Sequence, residues 1–238
     1  MTTNVFDEAR GLMATDSRWS IRQGKYIIYL DDTGCDKILL VRKRAIMFAG
    51  NGGRIQQWKD WLLSEPKDDS MQPKEEGICI CIADVEAGRV KKSFKQTVVD
   101  KEGYFAGSGT RFAVPCWAFN RDARRAVDTA KQADDCSGGE VKYVDFKKSD
   151  HNLYHGNKVT IQMVDNAILT RGLVMTTNTA QSLPFAAAAN DDAELAEIRA
   201  KIAAGDLSAS APSDGMYEEW SAAEKNELKE SLAEMFGW

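Results

Sequence analysis

Apolar positions along this chain recur with two periods, and the changes of period mark out its elements. Residues 2–6 (TTNVF) and 11–15 (GLMAT) read as two short strands joined by the polar turn DEAR. GKYIIYLDD (24–32) reads as a third strand, and DKILLVRKRAIMFAG (36–50) as two more around the basic turn Arg42–Arg44. RIQQWKDWLLS (54–64) changes to helical period, with Ile55, Trp58 and Leu62 on one face and Trp61 beside them. EPKDDSMQPKEEG (65–77) is a charged surface loop with two prolines. GICICIADV (77–85) and VKKSFKQTVV (90–99) are strands around a turn at Glu86–Gly88, and Tyr104–Gly107 is another short strand.

From Arg111 to about Ala133 the pattern predicts one long helix. Val114, Trp117, Ala118, Ala126, Val127 and Ala130 form its apolar stripe, and Pro115 is tolerable only in its first turn. DDCSGG ends it. EVKYVDF (140–146) alternates as a strand, and KVTIQMV with AILTRGLVMTT predicts a hairpin around Asp165–Asn166. Long runs of strands separated by only two body helices predict an α+β protein with sheets covered by helices, not a doubly wound parallel sheet.

The last fifty residues differ. SLPFAAAANDD leads to a helix near Ala193–Ala203, GDLSASAPSDG (205–215) has the composition of a flexible link, and Ser221 with Glu224 forms a capping box. The final helix carries Leu228, Leu232, Met235 and Phe236 on one face, with Trp238 at its end. A helix this short needs a surface to bury that face, so docking on a neighbouring subunit or partner is one expectation and folding back on its own body the other. The domain division expected is 1–185 for the body and 186–238 for an acidic helical tail.

Composition narrows the class. The chain has 238 residues, 43% hydrophobic and 28% charged, ordinary for a soluble globular protein. It contains neither a membrane-length apolar run nor the pattern of a signal peptide, so a cytoplasmic location with no membrane partner is expected. The net charge of −5 is uneven: residues 190–238 carry −8 and the remainder +3. No basic face is concentrated enough for a nucleic-acid binder. Five cysteines, with Cys79 and Cys81 on one strand face, read as reduced structural thiols. His151 and His155 lack a third ligand, so neither a metal nor another cofactor is expected.

The candidate chemistry begins at MTTNV. A threonine made N-terminal by loss of Met1 would hold a hydroxyl beside a free α-amine, although Thr-Thr is equally an ordinary strand start. Three further signatures follow in order: Lys37 opening a strand in DKI with AIMFAGNG closing the next at Gly50, then GYFAGSGT, then DDCSGGEV. With MTTNV and LMATDSR they resemble the proteasome β-subunit family and its bacterial relative HslV, over roughly residues 2–175.

That resemblance implies a four-layer α-β-β-α sandwich of the N-terminal nucleophile (Ntn) hydrolases. It implies a threonine endopeptidase with Thr2 as nucleophile, Lys37 controlling the terminal amine and Asp16 fixing the lysine. Gly50 matches the oxyanion donor. Ser108 matches the serine near the amine, Asp134 and Ser137 the supporting pair, and Phe48 a substrate-pocket position. It further implies a homo-oligomeric ring acting on polypeptide substrates, with an AAA+ unfoldase as a possible partner. Chemically, an α-amine with a pKa of about 8 is a competent base near neutral pH, and a nearby lysine eases its deprotonation.

The chain departs from the pattern in three places. Its first hairpin is about two residues short, GKYIIYL is additional, and the tail beyond about Ser182 lies outside the family core. Processing by simple methionine removal, without a pro-segment, is the expectation, and a retained Met1 would defeat the mechanism. The alternative functions are an inactive proteasome-fold protein with an assembly or binding role, and an amidase acting on another class of amide.

Overall fold

The computed structural model describes residues 2–65, 69–154, 156, 158–177 and 181–237. Its strands form three antiparallel sheets. The first contains β1 (Asn4–Asp7), β2 (Leu12–Asp16), β9 (Thr97–Val99), β10 (Gly103–Ala106), β11 (Val141–Asp145) and β12 (Asp150–His151), in the order β12-β11-β2-β1-β10-β9. The second is β14-β13-β4-β3, from β3 (Trp19–Gln23), β4 (Tyr26–Leu30), β13 (Leu173–Thr176) and β14 (Leu183–Pro184). The third is β5-β6-β7-β8, from β5 (Ile38–Val41), β6 (Arg44–Gly50), β7 (Ile78–Asp84) and β8 (Arg89–Phe94).

Strand alternation sends side chains to opposite sides of each sheet, and the core divides accordingly. On one face of the first sheet, Val5, Leu12, Ala14 and Phe105 pack against Ala113 and Trp117 of α2 (Thr110–Asn120) and Ala126, Val127 and Ala130 of α3 (Ala123–Ala133). On the other face, Phe6, Met13 and Val144 meet Ile38, Ala45, Met47 and Cys81 of the third sheet. The far face of the third sheet (Leu39, Ile46, Phe48, Ile80, Ile82) is covered by Ile55, Trp58, Trp61 and Leu62 of α1 (Gly52–Leu63) and by the chain's later helices. These are α4 (Ile161–Arg171), α5 (Phe185–Asp191), α6 (Ala193–Ala204) and α7 (Ala222–Phe236).

Several elements differ from the sequence-based expectation. The long helix is two. Arg121 takes a left-handed conformation (φ 51°) and Asp122 caps α3 by accepting hydrogen bonds from the Arg124 and Arg125 amides. Pro115 lies in the second turn of α2, not the first. VKKSFKQTVV supplies β8 and β9 to two different sheets, and β3 goes unsignalled.

The hairpin around Asp165–Asn166 is instead α4, capped by Thr160, whose hydroxyl accepts from the Met163 amide. Ile161, Val164, Asp165 and Ile168 are its buried positions, a helical spacing that Asp165 interrupts as a polar residue. Its carboxylate accepts from the Ser208 hydroxyl and the Ala209 amide, both at 2.7 Å, which satisfies it inside the core.

The tail folds back on its own body. Leu195, Ile198, Ile202, Trp220, Leu228, Leu232 and Met235 share one cluster with Trp58, Trp61 and Phe94, so no separate core begins at residue 186. Trp220 stacks tilted on Phe94, and Phe236 meets Trp61 edge-on. Exposed ion pairs such as Lys92–Glu227 and Lys91–Glu234 add little, about 0–1 kcal/mol each, whereas burying one leucine is worth about 1.5–3 kcal/mol. Apolar packing therefore decides where α7 sits. The expected flexible link also folds into place: Ala209 and Ala211 are fully buried. Met1, His155 and Trp238 lie outside the described residues.

Candidate active site

The first hairpin sets the site. The Asp7 side chain caps the turn by accepting from the Arg10 amide and also receives the Trp117 indole N–H at 3.0 Å, which ties β1 to α2. Register then places Asn4 opposite Thr15 and Ala106, so Thr2 and Thr3 emerge beside Asp16 and Gly107. Gly107 (φ 104°) has to be glycine, because a Cβ there would stand 1.9 Å from the Thr2 carbonyl oxygen.

Thr2, Asp16 and Lys37 converge, all of them buried. The Thr2 hydroxyl donates to Asp16 Oδ1 at 2.5 Å, and Lys37 Nζ donates to Thr2 Oγ1 at 2.7 Å and to Asp16 Oδ1 at 2.9 Å. Asp16 also accepts from the amides of Thr3 (2.8 Å), Gly138 (3.1 Å) and Arg18 (3.2 Å). A carboxylate with this many donors tolerates burial as an anion. Burial pushes the Lys37 ammonium below the ordinary lysine value, and the charge and hydrogen bond of Asp16 oppose that shift.

Around this triad a hydroxyl chain runs through the other sequence-picked residues. Ser108 Oγ donates to Asp134 Oδ2 at 2.7 Å, and Ser137 Oγ donates to the same oxygen at 2.6 Å. Ser137 Oγ lies 2.7 Å from Thr3 Oγ1, so this pair reaches the threonine next to Thr2. Asp134 closes α3, and the following turn returns its chain to β2.

Gly50 ends β6 at φ 123°, and a Cβ there would meet the Gly77 carbonyl oxygen at 2.2 Å. Its amide donates at 2.5 Å to the carbonyl of Ala211. Phe48 is fully buried in the cluster beneath β6 and does not line either of the two cavities that border Ser108. Ala209 and Ala211 occupy that same cluster.

Sequence reading missed Arg18 and the tail. Arg18 grips both Asp31 oxygens (2.7 and 2.9 Å), donates to the Asp135 carbonyl and lies over the Tyr29 ring, bracing the loop after Asp16. Ser213 Oγ accepts from the Gly107 amide at 3.0 Å. The small residues of SASAPS suit close backbone approach as well as they suit a linker, and that was the available signal.

Next to Lys37, Asp36 is buried with Oδ1 unpartnered among the described residues, while Oδ2 accepts from the Tyr154 amide. Burial raises its pKa from 3.8 to about 6. The proton is therefore held more tightly in the native state. The stability this contributes is fully present below about pH 4 and is lost as pH rises through about 6. Asp36→Asn should remove that loss. Relative to wild type, the variant gains roughly 2–3 kcal/mol between pH 4 and pH 7.5, read from urea denaturation at both pH values. An equal difference at both would show that Asp36 does not titrate in this range.

Among the described residues no group of three or more His, Cys, Asp or Glu side chains could hold a metal ion, and no helix is long and apolar enough to cross a membrane. His151 is exposed on β12.

No family model matches the chain, and no curated protein matches it. Solved structures similar to it are of HslV/proteasome type. Thiobacillus denitrificans BPH is 16% identical, covering 60% of this chain and 96% of that one, with a TM-score of 0.43. The same protein in complex with epoxomicin is 16% identical over 53% and 95% of the two chains, with a TM-score of 0.36. Eukaryotic HslV from Trypanosoma brucei is 15% identical over 59% and 97%, with a TM-score of 0.32.

Proposed function

We propose that the protein is a threonine peptidase whose nucleophile is Thr2, exposed by loss of Met1. One observation carries this reading: a fully buried lysine and a fully buried aspartate, from different elements, both hydrogen-bond the Thr2 hydroxyl, at 2.7 and 2.5 Å. A structural threonine needs neither charge. Burying an ion pair for stability alone is a poor bargain, because the desolvation cost is of the order of the attraction gained.

In the proposed reaction Thr2 Oγ attacks the peptide carbonyl carbon, and its proton passes to the freed α-amine. Lys37 favours the neutral form of that amine and donates to the developing alkoxide, while Asp16 holds Lys37. The Gly50 amide receives the tetrahedral oxyanion, a contribution of several kcal/mol for a preorganised donor of this kind. The C–N bond then breaks, the ammonium returns its proton to the leaving amine, and water hydrolyses the Thr2 ester.

The succession of helix-packed and sheet-packed core faces supports reading the body as the four-layer α-β-β-α sandwich. The proposal extends to a closed ring of identical chains that confines hydrolysis, fed by an ATP-driven unfoldase.

A second reading, a non-hydrolytic protein of the same fold, is favoured by the Gly50 amide being already bonded to Ala211. The intact mass of the purified chain, with and without a threonine-reactive β-lactone, separates the two. Loss of Met1 with one adduct on Thr2 supports the peptidase. A retained Met1 supports the second reading.

A further inference from the structure

The tail approaches the candidate centre as a strand. Ser210 pairs with Ser20 of β3 through reciprocal hydrogen bonds of 2.9 and 3.1 Å. One residue on, Ala211 pairs with Gly50 of β6 in the same way, at 2.5 and 2.9 Å. The segment thus lies between the edge strand of one sheet and the last residue of a strand in another, bonded to both. A short extended stretch that pairs to both sides in this way is how a bound peptide engages open sheet edges.

Alternation adds the side chains. Ala209 and Ala211 are fully buried in the cluster that contains Phe48, and Ser213 bonds the Gly107 amide. Gly52 permits the approach, since a Cβ there would come within 1.9 Å of the Ala209 carbonyl oxygen. Asp165 holds the segment from α4 through Ser208 and Ala209. No charged residue occurs between Asp206 and Asp214. The carbonyl presented to Gly50 belongs to the Ala211–Pro212 bond, whose nitrogen carries no hydrogen.

We propose that residues 208–213 are an internal occupant of the substrate slot, which closes the threonine centre until the tail is displaced. Once open, the slot takes extended peptides with small apolar residues at alternate positions, as Ala209 and Ala211 are now seated. This inference rests on the peptidase reading, and the test separates the two.

Two variants leave the triad untouched. Asp165→Ala removes the two bonds that tie the segment to α4. Ser20→Cys with Ser210→Cys locks it, because a hydrogen-bonded antiparallel pair has Cα atoms about 5.5 Å apart, within disulfide range. The substrate is a blocked Ala-Ser-Ala aminomethylcoumarin peptide. A small β-lactone with no peptide strand reports Thr2 reactivity by mass. Asp165→Ala should raise peptide hydrolysis at least tenfold over wild type. The double-cysteine protein should lose at least tenfold on oxidation and recover on reduction.

Equal rates for wild type and Asp165→Ala, and for the oxidised and reduced double-cysteine protein, with the lactone on Thr2 in all, would overturn the occupancy and leave the peptidase reading standing. Absence of the adduct from every form removes the nucleophile, and the occupancy proposal with it. If Asp165→Ala does not fold, the redox comparison decides alone.

Discussion

Thr2→Ala is expected to lose peptide hydrolysis by a factor on the order of 10⁴–10⁶, the size of effect seen when a covalent nucleophile is removed. The Lys37–Asp16 contact of 2.9 Å does not involve Thr2, so the variant should keep its fold. Lys37→Met should fall nearly as far for a different reason: the hydroxyl remains, but the only cation bonded to it is gone among the described residues. Thr2→Ser should retain activity. Kinetics on the Asp165→Ala background, with circular dichroism as the fold control, measure all three. Undiminished cleavage by Thr2→Ala would place the chemistry elsewhere.

The second large effect is on stability, and it is asymmetric. Asp16→Asn leaves the Lys37 ammonium buried without its counter-charge. Breaking a buried pair from one side costs about 3–5 kcal/mol. Lys37→Met leaves the Asp16 carboxylate with the Thr2 hydroxyl and the amides of Thr3, Arg18 and Gly138. Its cost should be clearly smaller, about 1–3 kcal/mol. Urea midpoints at constant m-value give the comparison. A reversed order would mean that the amide donors do not sustain the Asp16 charge.

Local pattern reached most strands of the body and reached the tail poorly. β1, β2, β6 and β7 were legible as short runs bounded by turn residues, being buried along almost their whole length, and α1 was legible from the face that Ile55, Trp58, Trp61 and Leu62 bury. Thr2, Asp16 and Lys37 are picked out by the resemblance of MTTNV, LMATDSR and DKI to the proteasome β-subunit family, since each alone reads equally as a strand start, a turn or a solvated strand end. α4 was misread because KVTIQMV and AILTRGLVMTT are rich in β-branched residues, while the buried Asp165 breaks the helical stripe. Tertiary contact with Ser208 and Ala209, more than forty residues away, outweighs both signals. The split of the long helix turned on one left-handed residue, Arg121, which no periodicity encodes.

The segment from Asp206 to Asp214 failed for a further reason. Small residues permit both freedom and close backbone contact, and only the partner strand decides between them. Ser20 and Gly50 are 160 or more residues distant in sequence, so the pairing that orders the segment is invisible locally.

The most direct measurement of the central claim is peptide-mapped mass spectrometry of the full chain after reaction with the β-lactone. The account predicts an N-terminal peptide beginning at Thr2, with Met1 absent and a single ester adduct on the Thr2 hydroxyl, and no adduct in Thr2→Ala. A folded chain that retains Met1, or one that carries the label only on another residue, would contradict it.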